Sequence, residues 1–373
     1  RPWCAGCTAR PSRRRWAFAK PPLRGVIRVG LNAVLLIFLF AVFNSKIYFV
    51  SLVGLVLSVM TLVSSYIIKN RVLYELKFNK KHFSNECIKK LISSGIWNTV
   101  NQCGNILMTG LDLLIANLLI SPAQMGILSI AKTIPNSIIQ LAGTVNSNFA
   151  PTLVITYSNF DKEEMLKQLR ASMKISSVLI SIPIIIFCVY GVEFYNLWMP
   201  SLDSNVLTKL SFLTCIAFIP FAGPQVLYNV YTTTNKLGVN AITVVLGGIL
   251  NFIIVVIMVK FTSAGIYAVA GVSAVISIIR NLIITVPYTA KLLDLKWYEF
   301  YKDVLISIMC CTLCAVIAIT VKSFIIPIGW ITLVLSVIIA CIISLIINIW
   351  CVLDKKEKLM LKQKVFKRRK QDG

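Results

Sequence analysis

Apolar side chains recur along this chain in runs of about twenty residues, the length of helix that crosses a hydrocarbon core. Ten such runs lie near 27–43, 47–68, 94–119, 123–156, 171–199, 208–232, 238–260, 264–290, 303–321 and 325–352. Backbone groups in lipid must be satisfied within the segment itself, so runs of this length are expected as helices. Several exceed the minimum, which predicts tilt or extension beyond the bilayer. The pattern predicts an all-α polytopic membrane protein with about ten transmembrane helices.

The segments between the runs alternate in charge. Lys69, Arg71, Lys77, Lys80 and Lys81 follow the second run, and Lys162, Lys167 and Arg170 follow the fourth. Lys236 follows the sixth, Lys291, Lys296 and Lys302 the eighth, and Lys355 to Lys370 the last. The intervening loops are short and poor in bases, as at Ser121-Pro122 and Pro200-Ser-Leu-Asp203. Basic loops stay in the cytoplasm, so both termini are expected there.

Composition agrees with the pattern. Of the 373 residues, 57% are hydrophobic and only 14% charged, against about a quarter charged in a soluble domain. Mean hydropathy is +0.80. The net charge of +24 suggests a nucleic-acid partner until the placement of the bases is considered. They sit beside apolar runs, where they set topology and meet lipid headgroups, so no nucleic acid is expected. Most of the 11 cysteines lie inside apolar runs and read as small buried hydrophobes. Cys4-x-x-Cys7 has no second pair, and His82 is the single histidine, so metal sites and histidine catalysis find little support. No Walker loop, HExxH or GxSxG motif occurs, so neither an enzyme nor a cofactor is expected.

The first 24 residues stand apart. They contain no acid and no asparagine, whereas the chain from about residue 31 is rich in Ile, Asn, Leu and Lys. Two explanations fit: an unrelated head on a truncated chain, or a natural basic arm that meets anionic lipid.

Polar residues inside the apolar runs carry the candidate chemistry. Asp112 is a lone acid in the third run, and an ion at membrane depth costs about 2.5 kcal/mol or more unless it faces a partner or water. Lys132, in the fourth run, is expected either to line a polar cavity or to pair with Asp112 across the adjacent helices. Arg280, beside Asn281 in the eighth run, offers a fork that suits phosphate; its alternative role is anchoring a helix at the interface. Asn98, Asn101, Gln102 and Asn105 follow i, i+3, i+4, i+7 spacing and form one polar stripe on the third helix, extended by Asn117. Gln140, Asn146 and Asn148 continue the amides on the fourth helix, and Gln225, Asn229 and Asn235 on the sixth. Such a stripe faces either a wet cavity or neighbouring helices. Pro135, Pro183, Pro220, Pro224 and Pro287 are expected to bend their helices, and Gly247-Gly248 with Asn251 marks close packing.

Three segments carry a family resemblance. Ile88-Lys-Lys-Leu-Ile-Ser-Ser-Gly-Ile-Trp-Asn98, Gly110-Leu-Asp-Leu-Leu-Ile-Ala-Asn117 and Met125-Gly-Ile-Leu-Ser-Ile-Ala-Lys-Thr-Ile-Pro135 resemble, in order and spacing, the polysaccharide (O-antigen, Wzx-type) flippases of the multidrug/oligosaccharidyl-lipid/polysaccharide exporter superfamily. Asn148-Phe-Ala-Pro151, Gly248-Ile-Leu-Asn251, Ala264-Gly-Ile-Tyr-Ala-Val-Ala-Gly-Val-Ser273 and Ile279-Arg-Asn-Leu-Ile-Ile-Thr-Val-Pro-Tyr288 extend the similarity over about residues 31–353. The resemblance implies a MATE-like fold of fourteen helices in two lobes around a cavity, of which this chain lacks the first four. On that alignment residues 1–24 are a non-family head. Residues 25–87 hold the remaining first-lobe helices and a linker, and 88–290 the second lobe. Residues 291–353 form two further helices and 354–373 a basic tail.

The implied function is export of a lipid-linked oligosaccharide of undecaprenyl type across the bilayer, alongside polysaccharide polymerases or glycosyltransferases of the same pathway. A chain missing one wall is expected not to transport alone. A multidrug or cation antiporter of the same superfamily is the alternative; the basic set of intramembrane ions argues against it. A membrane glycosyltransferase would need large outer loops, which are lacking.

Overall fold

The computed structural model describes residues 28, 30–43, 48–72, 85–158, 162–354 and 357–358. The basic head over 1–24, the linker carrying His82 and most of the basic tail lie outside the described residues. All regular structure among the described residues is helical.

Contacts divide the chain into two units, Arg1–Asn85 and Glu86–Gly373. The first holds α1 (Gly30–Val42) and α2 (Tyr48–Val72). Their apolar side chains are exposed on most faces, including Val34, Ile37, Leu55 and Leu62, as helices solvated by lipid tails would be.

The second unit begins with α3 (Asn85–Asn105), a π turn (Ile106–Gly110) and α4 (Asp112–Leu119). There follow α5 (Pro122–Ser147), α6 (Ala150–Ser158), α7 (Lys162–Trp198) and α8 (Ser204–Cys215). Two short 3-10 turns lead to α9 (Tyr228–Thr233), then α10 (Leu237–Phe261) and α11 (Gly265–Arg280). A second π turn (Asn281–Thr285) joins α12 (Val286–Leu292), and α13 (Tyr301–Phe324) and α14 (Trp330–Val352) complete the unit.

Among the described residues, six helical segments are long and apolar enough to cross a bilayer, and the pair Gly95–Gly110 and Asp112–Leu119, bent by 42°, makes a seventh if taken as one span. Three of the ten expected spans are met, among the described residues, by shorter or interrupted helices. The first run yields the short helix α1. The fourth divides into α5 and α6, and α5 is less apolar than the six because of its polar side chains. The sixth is interrupted by 3-10 turns around Pro220 and Pro224. Run length averages over such breaks, whereas missing N–H groups and polar side chains interrupt the helix locally.

The 37 residues of α7 extend about 55 Å at 1.5 Å per residue, longer than the bilayer with its headgroups. This helix forms the spine of the unit: its core cluster with α13 and α14 includes Ile180, Ile184, Tyr190, Cys311, Cys314 and Ala340. The buried stripe of α14 is Leu333, Ser336, Ala340, Ser344, Asn348 and Val352, while Ile331, Ile338, Ile346 and Trp350 are exposed. Small and polar groups turned inward with bulky ones outward is the pattern of helices that lipid, not water, surrounds. Tyr190 shares a 2.6 Å hydrogen bond with Ser336 across this interface.

Candidate functional site

The local construction of the site starts at Pro135. A proline inside a helix leaves the carbonyl four residues earlier without its donor. In α5 that carbonyl belongs to Ala131, and it accepts from Ser211 Oγ of α8 at 2.8 Å and from Tyr195 Oη of α7 at 3.3 Å. Tyr195 and Ser211 are themselves 2.8 Å apart and buried. Helices α7 and α8 therefore clamp the α5 turn that carries Lys132.

The opposite partner is placed by a second irregularity. Leu111 N–H bonds back to Ile106 at 3.0 Å, closing the π turn that bends the chain ahead of Asp112. The turn's Met108 carbonyl accepts from Asn251 Nδ2 at 2.9 Å. Gly104 and Gly248 let α3 and α10 approach at this level: a Cβ on Gly248 would lie 2.6 Å from Leu107 Cβ, and one on Gly104 would lie 2.8 Å from Val245 N. The close-packing role expected of Gly247-Gly248 and Asn251 is met in this crossing.

Asp112 and Lys132 form a buried ion pair between α4 and α5, with side chains 1% and 9% exposed. Asp112 Oδ1 has no hydrogen-bond partner. Lys132 is ten residues from the start of α5, about 15 Å along the axis, so its side chain does not reach that end of the helix. Pairing is the arrangement in which two such ions offset each other's desolvation.

Arg280 is treated differently. In the span Gly265–Leu292 it stands 15 residues from one end and 12 from the other, about 22 and 18 Å. Neither interface is within reach of its side chain, which argues against an anchoring role. Its Nη2 donates to Tyr228 Oη at 2.8 Å and to Asn281 Oδ1 at 2.9 Å. Tyr228 Oη donates to the same Asn281 oxygen at 2.7 Å, and Thr285 Oγ1 donates to it at 3.0 Å. Nε and Nη1 are buried without partners, and no carboxylate pairs with Arg280 among the described residues. The π turn behind it is held by Tyr301, which donates to Leu282 O at 2.7 Å, and by Tyr231, which donates to Thr285 O at 3.3 Å. Arg280 is thus a cation held by neutral groups, with guanidinium N–H groups still to donate.

The expected amides divide into two sets. Asn101 accepts from Asn240 Nδ2 at 3.1 Å. Asn146 donates to Gln225 Oε1 at 2.8 Å and accepts from Ser176 Oγ at 2.5 Å, and Asn229 Nδ2 donates to the Asn146 carbonyl at 2.9 Å. The first bond ties α3 to α10, and the Asn146 group ties α5 to α7 and to the broken segment before α10. Asn98, Gln102 and Asn105 are exposed on α3, and Asn117 is half-buried on α4.

Of the polar face on α5, the sequence reading found the amides Gln140 and Asn148 and missed the hydroxyls. Ser129, Thr133, Asn136, Ser137, Gln140, Thr144, Ser147 and Asn148 are all exposed on α5. Their spacing of three and four residues puts them on one face, opposite buried Leu128, Ala131, Lys132 and Pro135. Thr133, Ser137 and Thr144 bond back to carbonyls of the preceding turn at 2.9–3.0 Å. Such a face suits water or a polyhydroxyl solute and not lipid. The signal was present as hydroxyl spacing, which amide counting passed over. Glu193 and Lys322, near the far ends of α7 and α13, also went unremarked; they pair at 2.7 Å.

Comparison with known proteins adds two matches. A family described as polysaccharide biosynthesis protein matches residues 13–195, a range that takes in the end of the basic head. The uncharacterized membrane protein EpsK of Bacillus subtilis is 26% identical over 305 residues, 79% of this chain and 59% of that protein. The chain therefore spans about three-fifths of the length of this relative. No solved structure matches. On these matches and its all-helical, multi-span architecture, the chain is similar to a polysaccharide biosynthesis protein family over residues 13–195 and to a membrane protein over most of its length.

Proposed function

We propose that this protein moves a lipid-linked oligosaccharide, such as an O-antigen precursor on an undecaprenyl-type carrier, across the bacterial cytoplasmic membrane, with both termini in the cytoplasm. The observation that carries the proposal is the exposed hydroxyl and amide face of α5, a 26-residue helix packed among the apolar ones. A glycan presents hydroxyls in many orientations, and short side chains that both donate and accept can exchange with them as the sugar passes. The amides Asn98, Gln102 and Asn105 on α3 and Asn117 on α4 are assigned to the same path.

Arg280 is assigned to the anionic phosphate of the carrier. The neutral cluster around it leaves its charge uncompensated, and a phosphate would supply the missing anion. Lys132 and Asp112 hold the α4–α5 hairpin in shape. With Asp112 engaged by Lys132, no free carboxylate on these helices faces a cationic drug, which favours the glycan over the multidrug reading. Gln225 and Asn229 support the wall by fixing Asn146.

The test is export in cells lacking their polysaccharide flippase, scored by surface polysaccharide and by lipid-linked oligosaccharide retained inside. The chain fused behind the first four helices of a family member is expected to restore export, and Arg280→Gln in that fusion is expected to reduce it at equal membrane abundance. A well-inserted fusion that exports nothing would overturn the flippase reading. Full export by the Arg280→Gln fusion would remove Arg280 from the path.

A further inference from the structure

Where α11 and α12 end and the loop to α13 begins, the surface folds into an open groove of about 420 Å³. Ile283, Ile284 and Pro287 line it along the span, Leu295 and Trp297 line it from the loop, and Lys291 also borders it. Trp297 is 64% exposed and Tyr298 beside it 49%. Lys296 lies over the Tyr298 ring, 5.9 Å from its centroid.

Charge in this loop is unbalanced for a structural reason. Both of its acids are engaged by α7: Asp294 pairs with Lys162, and Glu299 pairs with Arg170. Lys291, Lys296 and Lys302 are exposed and have no carboxylate partner among the described residues. The loop is thus left with net positive charge around an apolar hollow, at the end of a membrane span.

We infer that this groove holds an anionic phospholipid of the surrounding membrane, its phosphate at Lys291 and Lys296 and one acyl chain along Ile283, Ile284 and Pro287. From Lys291 to Ile283 the helix falls by eight residues, about 12 Å, so headgroup and chain meet surfaces of matching polarity. Trp297 sits at the level where indole rings prefer to lie, between headgroup and tail. A soluble protein partner would have to enter the bilayer to fill the lower wall, whereas a lipid is already there. The unpaired lysines select an anionic headgroup over a zwitterionic one. The inference rests on the chain spanning a membrane, not on what it transports.

The test uses the full chain in phosphatidylcholine vesicles with 10 mol% of either brominated phosphatidylglycerol or brominated phosphatidylcholine. Emission of Trp297 is isolated as the difference between the wild type and Trp297→Phe. Brominated phosphatidylglycerol is expected to quench it severalfold more strongly, given roughly fivefold local enrichment per interfacial lysine. Lys291→Gln with Lys296→Gln should abolish the difference. Lys167→Gln with Lys236→Gln, equal in charge but distant in sequence, should preserve it. Equal quenching by the two lipids in the wild type would overturn the inference, as would equal loss in both double variants, which would mean a diffuse charge field and no site.

Discussion

Breaking the Asp112–Lys132 pair from one side should cost more than removing it altogether. Asp112→Asn leaves Lys132, 9% exposed, without its acid. Lys132→Gln leaves Asp112 with neither oxygen engaged, because Oδ1 already lacks a partner. Breaking a buried pair by removing one member costs about 3–5 kcal/mol, at about 1.4 kcal/mol per tenfold in equilibrium constant. Each single variant should therefore unfold with an equilibrium constant raised by roughly two to three and a half orders of magnitude. In the double variant the two replacement amides remain polar, close and neutral, so most of the loss should return, to within about 1 kcal/mol of the wild type. Reversible unfolding in mixed micelles with increasing dodecyl sulfate, followed by tryptophan fluorescence, measures all four corners of the cycle. If the double variant loses the sum of the two single losses, the pair contributes no coupling and the argument fails. Export by the restored fusion is scored separately, since a stable double variant that no longer exports would give these ions a role beyond holding the hairpin.

Other expectations follow from the same geometry. Ser211→Ala combined with Tyr195→Phe should leave the Ala131 carbonyl without a donor and cost about 1–3 kcal/mol, more than either change alone, as read by the midpoint of thermal unfolding in detergent. Gly248→Leu should drive α10 away from Leu107 and destabilise by about 1–3 kcal/mol or more; unchanged stability would show that this crossing is loose. Cysteines placed at Glu163 and Ser201, beyond the two ends of the long apolar stretch of α7, should react with an impermeant thiol reagent from opposite sides of the membrane; labelling from one side would refute the topology.

Much of the architecture was legible in the sequence, because bilayer thickness and backbone hydrogen bonding leave few alternatives for long apolar runs. Helical class, a multi-pass course and the approximate limits of most segments follow from that. The amide stripe on α3 was visible as spacing, and the hydroxyl face of α5 was visible in the same way although it was passed over. Continuity was not legible. The π turn before Asp112 and the turns around Pro220 and Pro224 depend on who satisfies the freed backbone groups, and the partner that satisfies Met108 O, Asn251, lies far along the chain. The meaning of the intramembrane ions also waited on tertiary structure. Asp112 and Lys132 stand 20 residues apart and neutralise each other, while Arg280 meets Tyr228, 52 residues earlier, and no acid among the described residues. Hydropathy prices each ion alone, but its cost in the membrane, and hence its role, is set by what the folded chain places against it.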